Sequence, residues 1–346
     1  MTQPFNLNNL TLSGEPQPLV EHIVMNPASS RPLFSTSSTG TLIYQSGLAS
    51  GGWTLLWVDR SGKQTGSLAE SGRYLGPSLS PDGTRVATMI YEGAQGTGDI
   101  WIFDVERGTS TRLTFGPASQ AVPKWSFDGK TIYFISNAKG KPHIYAKAAD
   151  GSGTERAVVE TPDAIEYPSA ASPDGRYLVY ERKMISSESG FHLWVMPLTE
   201  EAKPFPIVQT AFDERNAAIS SDGKWMAYES DESGRREVYI TGFPGGGAKW
   251  QVSTAGGTIP KWRKDGKELF FLDNADNVVA VDVTVVGNAV RLGTPLTLFQ
   301  AVGTQRSAGA YDVTADGKKF LINSGNLKEG TEPFTLMQNW SAELKK

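Results

Sequence analysis

The side chains able to act as bases, nucleophiles or metal ligands are few in this chain, and their spacing argues against those uses. Its 346 residues include three histidines and no cysteine, which excludes disulfides, thiolate metal sites and cysteine nucleophiles. His143 and His192 each stand immediately before an aliphatic–aromatic pair, Ile144-Tyr145 and Leu193-Trp194. Asp99 takes the same place before Ile100-Trp101, and Glu237 before Val238-Tyr239. A position that accepts Asp, His, His and Glu in turn is a hydrogen-bonding site at the start of a strand, not a ligand set. His22 reads as a surface residue. Three scattered histidines do not form the clustered ligand groups of a metal centre, so no metal and no other cofactor is expected.

Other chemistry fares no better. The chain contains no G-x-S-x-G elbow, the strand–turn–helix device that exposes a serine nucleophile. Gly245-Gly246-Gly247 follows Phe243-Pro244 and reads as a turn between strands, because a phosphate loop needs a helix after it. Six Asp-Gly pairs each supply one carboxylate and lack the closely spaced acidic ligands of a calcium loop. They are turn residues, and they lead from chemistry to architecture.

These pairs, Asp82-Gly83, Asp128-Gly129, Asp174-Gly175, Asp222-Gly223, Asp265-Gly266 and Asp316-Gly317, are separated by 46, 46, 48, 43 and 51 residues. A degenerate copy, Ser37-Ser38-Thr39-Gly40, precedes Asp82. A period of this size marks a repeat protein whose units bury their faces against one another. Within the unit around Asp82, Pro77–Ser80, Arg85–Tyr91, Asp99–Val105 and Ser110–Thr114 read as four strands bounded by turn residues. In Ser80-Pro81-Asp82-Gly83, proline presets φ, aspartate bonds nearby amides and glycine accepts positive φ. Four strands per repeat predict propeller blades.

Counting first strands from Pro32–Ser35 onward predicts an all-β, seven-bladed β-propeller of four-stranded antiparallel blades. Residues 1–346 are read as one domain, with repeats beginning near 31, 74, 120, 166, 215, 258 and 308. The last unit has a third strand at Phe334–Trp340, and the segment 1–23 is expected to close the ring by pairing Gln17–His22 with that unit. Closure of this kind removes an exposed sheet edge. The net charge of −4 argues against nucleic acid, which selects a basic surface. No apolar run reaches membrane-spanning length, and Met1-Thr2-Gln3-Pro4-Phe5-Asn6 has no secretory pattern. Any export signal or anchor is expected to lie outside this sequence, with no direct membrane insertion within it.

Ser80-Pro81-Asp82-Gly83 with Asp99-Ile100-Trp101, and Ser172-Pro173-Asp174-Gly175 with His192-Leu193-Trp194, resemble the TolB-like, WD-repeat-like β-propeller repeat of bacteria. Leu56–Lys63, Lys249–Gly257 and Asn339–Leu344 are similar to propeller regions that follow the kinase domain of bacterial receptor-type serine/threonine kinases. That resemblance implies a sensor or scaffold of a larger signalling protein, located outside the cytoplasm. The chain departs from both families. TolB has six blades and a separate small domain, whereas seven repeats are counted here, and no kinase motif is present.

The remaining candidates sit where propellers bind partners, at the loops and innermost strands around the axis. Tyr74, Gln120, Glu166, Tyr167, Arg215, Asn216, Tyr311 and Asp312 fall at or just before those strands, and Lys124, Lys261 and Asp312 on the strands nearest the axis. The loops Asp231–Arg236 and Glu181–Phe191 are expected to form the rim. These residues are read either as a hydrated channel with partly paired charges or as a funnel for a protein, a small polar ligand or a glycan. A non-catalytic binding module is the leading function. The alternative is a lyase or hydrolase acting on a polysaccharide or small ester, with Tyr167, Glu166 or Arg215 doing acid–base work.

Overall fold

In the computed structural model, the residues described are 2–3, 5–6, 9–15, 19–20, 23, 25–26, 31–32, 34–37, 39–45, 52–91, 97–186, 188–199, 202–287, 289–301, 304, 309–325 and 334–340. They contain no α-helix. The chain divides into two compact units, Trp53–Gly325 and the remainder, Met1–Gly52 with Asn326–Lys346.

Trp53–Gly325 carries six sheets, five of four strands and one of five. The first runs from Tyr74–Leu79 through Arg85–Tyr91 and Gly98–Asp104 to Ser110–Arg112. The second starts at Gln120–Trp125, the third at Ala164–Ala171, the fourth at Glu214–Ile219, the fifth at Thr258–Trp262 and the sixth at Tyr311–Val313. In the fifth sheet the long strand Asn277–Val286 pairs with both Ala289–Leu292 and Leu296–Gln300, which gives the extra strand.

Each of the six Asp-Gly turns joins the innermost strand of a sheet to its second. The glycine amide donates to the carbonyl three residues earlier in every case: Ser80, Ser126, Ser172, Ser220, Arg263 and Thr314. In the third sheet Ser172 Oγ donates to Asp174 Oδ1 at 2.5 Å, and the same oxygen accepts the Arg176 amide at 3.0 Å. One carboxylate oxygen therefore closes the turn from both sides. These contacts pull the Asp174 carboxyl down to about 2, since hydrogen bonds to the charged form favour it.

Successive innermost strands pack beside one another, from the first sheet to the fifth, and Tyr311–Val313 lies against Tyr74–Leu79. The fifth and sixth sheets share a core that includes Phe270, Leu272, Val278, Tyr311, Phe320 and Ile322. The six sheets thus follow one another around a ring, and further clusters fill other seams, such as Val179, Leu193, Tyr228 and Tyr239 between the third and fourth.

Two sequence expectations are corrected here. The sixth sheet does not take its third strand from Phe334–Trp340. Trp53–Asp59 occupies that place, paired with Lys319–Gly325 through all seven residues from Lys319↔Asp59 to Gly325↔Trp53, and Gln64–Ser67 lies outside it. Leu55 and Val58, three residues apart and so on opposite faces of this strand, are both buried, Leu55 in the core shared with the first sheet and Val58 in that shared with the fifth. The number of repeat sheets in this unit is accordingly six, one for each intact Asp-Gly turn. The degenerate copy belongs to the other unit, where Phe34–Thr36, Thr41–Gln45 and Phe334–Gln338 form a three-stranded sheet. The expected pairing of Gln17–His22 falls largely on residues outside those described, as does His22.

Candidate functional site

The turn register defines one position that recurs around the ring. Two residues before the turn carbonyls stand Ser78, Lys124, Ala170, Ala218, Lys261 and Asp312, one from each sheet in order. The first five line an axial cavity of about 200 Å³, together with residues such as Leu79, Phe127, Asn216 and Ile259. Asp312 reaches the same place through Lys261, whose Nζ lies 3.2 Å from Asp312 Oδ1. The other Asp312 oxygen accepts the Leu79 amide at 2.8 Å, so this carboxylate ties the sixth sheet to the first.

The two lysines arise from the same four-residue segment. Val122-Pro123-Lys124-Trp125 in the second sheet and Ile259-Pro260-Lys261-Trp262 in the fifth share a β-branched residue, proline, lysine and tryptophan. Val122 and Ile259 have φ of 53° and 54°, a left-handed conformation that is a genuine outlier for β-branched side chains. Both lie where the strand pairing slips by a residue, so the strain belongs to a bulge that re-aims the strand. The indole of Trp125 donates to Ser78 O at 2.9 Å, and that of Trp262 to Ala218 O at 3.1 Å. Each lysine is thereby anchored next to a bond that grips the ring position of the preceding sheet.

Their electrostatic settings differ. Lys261 is paired with Asp312, whereas Lys124 is half-buried and its side chain, among the described residues, makes neither an ion pair nor a hydrogen bond. Its neighbours in the ring are Ser78 and Ala170. Burial first, then the like charge of Lys261, pushes Lys124 down to about 8, against the opposing pull of Asp312 and Glu181.

Glu181 and Glu229 were not singled out from sequence. Both stand on second strands, seven residues beyond the turn aspartates Asp174 and Asp222. Glu181 Oε1 accepts the Asn216 amide at 2.8 Å and the Ser169 hydroxyl at 3.1 Å. Glu229 Oε2 accepts the Ile259 amide at 2.9 Å, and its other oxygen accepts from Arg236 Nη1 at 2.8 Å. Burial raises the Glu181 carboxyl above its ordinary range. The signal was available: an acid at the same offset in two successive repeats, immediately after the apolar runs Tyr177–Tyr180 and Trp225–Tyr228. Glu181 therefore belongs to a strand and not to the expected rim loop.

Of the sequence-selected residues, Lys124, Asn216 and Lys261 come together at the cavity, with Asp312 bound to Lys261. Tyr167 and Arg215 meet on Phe191, whose ring lies 5.5 Å from that of Tyr167 and 4.1 Å below the Arg215 guanidinium. Arg215 Nε also donates to Asp213 at 2.9 Å. Burial raises the Tyr167 hydroxyl, Glu181 adding to the effect and Arg215 opposing it. The other four are buried away from the cavity lining. Tyr74 donates to Glu70 O and packs edge-on against Phe103. Gln120 Oε1 lies 3.5 Å from Thr114 Oγ1, and Tyr311 donates to Ile259 O at 3.0 Å. Glu166 accepts from Arg182 Nε at 3.2 Å and faces His143 Nδ1 at 3.3 Å. His192 Nδ1 faces Glu214 in the same way at 2.8 Å. The two histidines thus serve successive seams between sheets and do not converge. Among the described residues no group of three or more His, Cys, Asp or Glu side chains is arranged to hold a metal.

Residues 54–202 match the family model described as the TolB beta propeller domain. The Tol-Pal system protein TolB of Wolinella succinogenes is 31% identical over 133 residues, covering 38% of this chain and 30% of that protein. A Bacillus subtilis protein named an uncharacterized peptidase, YuxL, is 26% identical over 207 residues, 47% of this chain and 31% of its own length. The chain therefore spans about a third of the curated relatives it matches. Among solved structures, one described as a TolB from Agrobacterium tumefaciens superposes with a TM-score of 0.60 at 17% identity, covering 78% of this chain and 97% of that one. TolB from Acinetobacter baumannii superposes at 0.51 with 18% identity, covering 87% and 62%. With the repeat turns, the six successive sheets and this family match in agreement, the chain carries a TolB-like β-propeller.

Proposed function

We propose that this propeller is a non-catalytic binding module whose ligand or partner engages the axial cavity and its margin. The observation that carries the reading is the ring of equivalent positions, in which the Lys124 ammonium, among the described residues, makes no ion pair or hydrogen bond in a cavity of about 200 Å³. A few convergent polar groups in a concave site suit recognition. His143, His192 and Glu166, which acid–base catalysis would need free, are engaged between sheets. The likeness to Tol-Pal system proteins supports a protein-binding role and a place outside the cytoplasm; the role of sensor or scaffold in a larger bacterial signalling protein rests on the resemblance of Leu56–Lys63, Lys249–Gly257 and Asn339–Leu344 to receptor-kinase propellers.

The test is a thermal-shift screen of small polar compounds, oligosaccharides and peptides against the native chain and Ala170→Phe, which fills the cavity. A ligand that binds only the folded state raises its melting temperature. Shifts seen with the native chain and lost in Ala170→Phe support the site. Ligands that shift both equally, or turnover of a glycan or ester, would count against it.

A further inference from the structure

We propose that the axial cavity is a carboxylate site, with Lys124 as the primary cation and Lys261, facing it across the ring, as the second. This deepens the binding-module reading and rests on it. In a ring of six the second and fifth sheets stand opposite, so the repeated segment Val122–Trp125 and Ile259–Trp262 places two cations on facing walls. Both are held by the same construction, a left-handed residue two before the lysine and an indole anchor one after it. One of the pair is neutralised by Asp312 and the other is not.

That imbalance sets the ligand. One ammonium without a direct ion-pair partner matches a single negative charge. A more highly charged anion would meet Asp312 and the buried Glu181, both of which act on Lys124. Ala170, Ala218, Leu79 and Ile259 supply apolar wall between the cations, which suits the hydrocarbon part of a small carboxylic acid. A water takes roughly 30 Å³ of liquid volume, so the cavity of about 200 Å³ has room for a small carboxylic acid. Lys124 titrates near 8, so binding should weaken as the pH rises through that value and its charge is lost.

The experiment uses the full chain at pH 7 in chloride-poor buffer and follows ¹³C-labelled acetate by NMR titration, with acetamide as the neutral isostere and inorganic phosphate as a second anion. The expected result is saturable acetate binding, none for acetamide and weaker binding of phosphate. Lys124→Met should weaken acetate about tenfold or more, the loss of one charge-assisted hydrogen bond. Asp312→Asn, which releases Lys261, should tighten it. Lys124→Gln, with circular dichroism to confirm folding, covers the case in which the methionine variant is unstable. Equal behaviour of acetate and acetamide, phosphate preferred over acetate, or acetate binding unchanged in both Lys124 variants overturns the proposal. If a neutral compound binds and is lost on Ala170→Phe while acetate is not bound, the carboxylate assignment fails and the binding module stands. If nothing bound responds to Ala170→Phe, both fail.

Discussion

The amide of Ile259, held at φ 54°, donates to Glu229 across the seam between the fourth and fifth sheets at 2.9 Å. Asn216, at φ 51°, does the same to Glu181 one seam earlier at 2.8 Å. A left-handed residue turns its amide out of the strand ladder, and a buried donor left without a partner is costly. The carboxylate of the preceding sheet supplies that partner, so the bulge and the acid are two halves of one joint.

Breaking the joint should be expensive. Glu229 also accepts from Arg236, which pairs in addition with Asp213. Glu229→Ala would leave the Ile259 amide unbonded and remove one of the carboxylates that hold Arg236. Loss of one partner of a buried pair costs about 3–5 kcal/mol, and the half-buried Arg236 places the expected loss at the lower end. Urea denaturation of the variant beside the native chain measures it. A loss under about 1 kcal/mol, the range of exposed pairs, would show that the joint contributes little.

The strain in the joint can be separated from the burial it accompanies. A left-handed backbone costs an L-residue roughly 1–2 kcal/mol, which glycine avoids. Val122 is half-exposed, while Ile259 is buried in the core between the fifth and sixth sheets. Val122→Gly should therefore change stability by no more than about 1 kcal/mol, strain relief offsetting lost contact. Ile259→Gly should cost about 2 kcal/mol or more after the same relief, because a large buried side chain is removed. Equal losses at both positions would mean that the bulge conformation is not the strained element.

Lys124 makes stability depend on pH in a defined direction. Its folded value, about 8, lies below the ordinary 10.5, so between these values the unfolded chain binds more protons than the folded one. Stability should rise with pH across that window. Lys124→Met removes the ionisation, so it should flatten this rise and stabilise the protein at pH 7 by about 1–3 kcal/mol, allowing for partial exposure of the side chain. Denaturation at pH 7, 8, 9 and 10 reads both effects. A native chain whose stability falls across the window, with Lys124→Met following it in parallel, would contradict this account.

Much of the fold could be read from local chemistry, because each Asp-Gly turn fixes a hairpin by contacts within five residues. The lysines and Asp312 were legible for a related reason: polar residues on innermost strands face the axis and escape the demand for apolar burial. Tyr74, Gln120, Glu166 and Tyr311 show the limit. They occupy the same stretch of their repeats, but the pleat and the bulges turn them into the seams, and register at a bulge cannot be counted from the sequence. The pairing of Lys319–Gly325 with Trp53–Asp59 was hidden differently. It is non-local, and nothing in either strand names its partner.

That pairing yields the last prediction. Trp53–Asp59 and Gln64–Ser67 complete a sheet whose two inner strands come from the far end of the same unit. Leu55 is fully buried, in a cluster with Leu321 and Val86 that joins the sixth sheet to the first. A chain reduced to Trp53–Gly325 retains all six sheets and the cores between them, so it should fold and melt cooperatively. Removing a further fifteen or so residues, through Ser67, would expose the edge of Lys319–Gly325 and empty that core. Deleting a single large buried aliphatic side chain costs about 2–5 kcal/mol, and here Leu55 and Val58 go together with a full strand of hydrogen bonds. The longer truncation should therefore lose its cooperative thermal transition by circular dichroism, or melt at least about 10 °C lower. If the two truncated chains melt alike, the strand from Trp53 to Asp59 does not hold the ring closed.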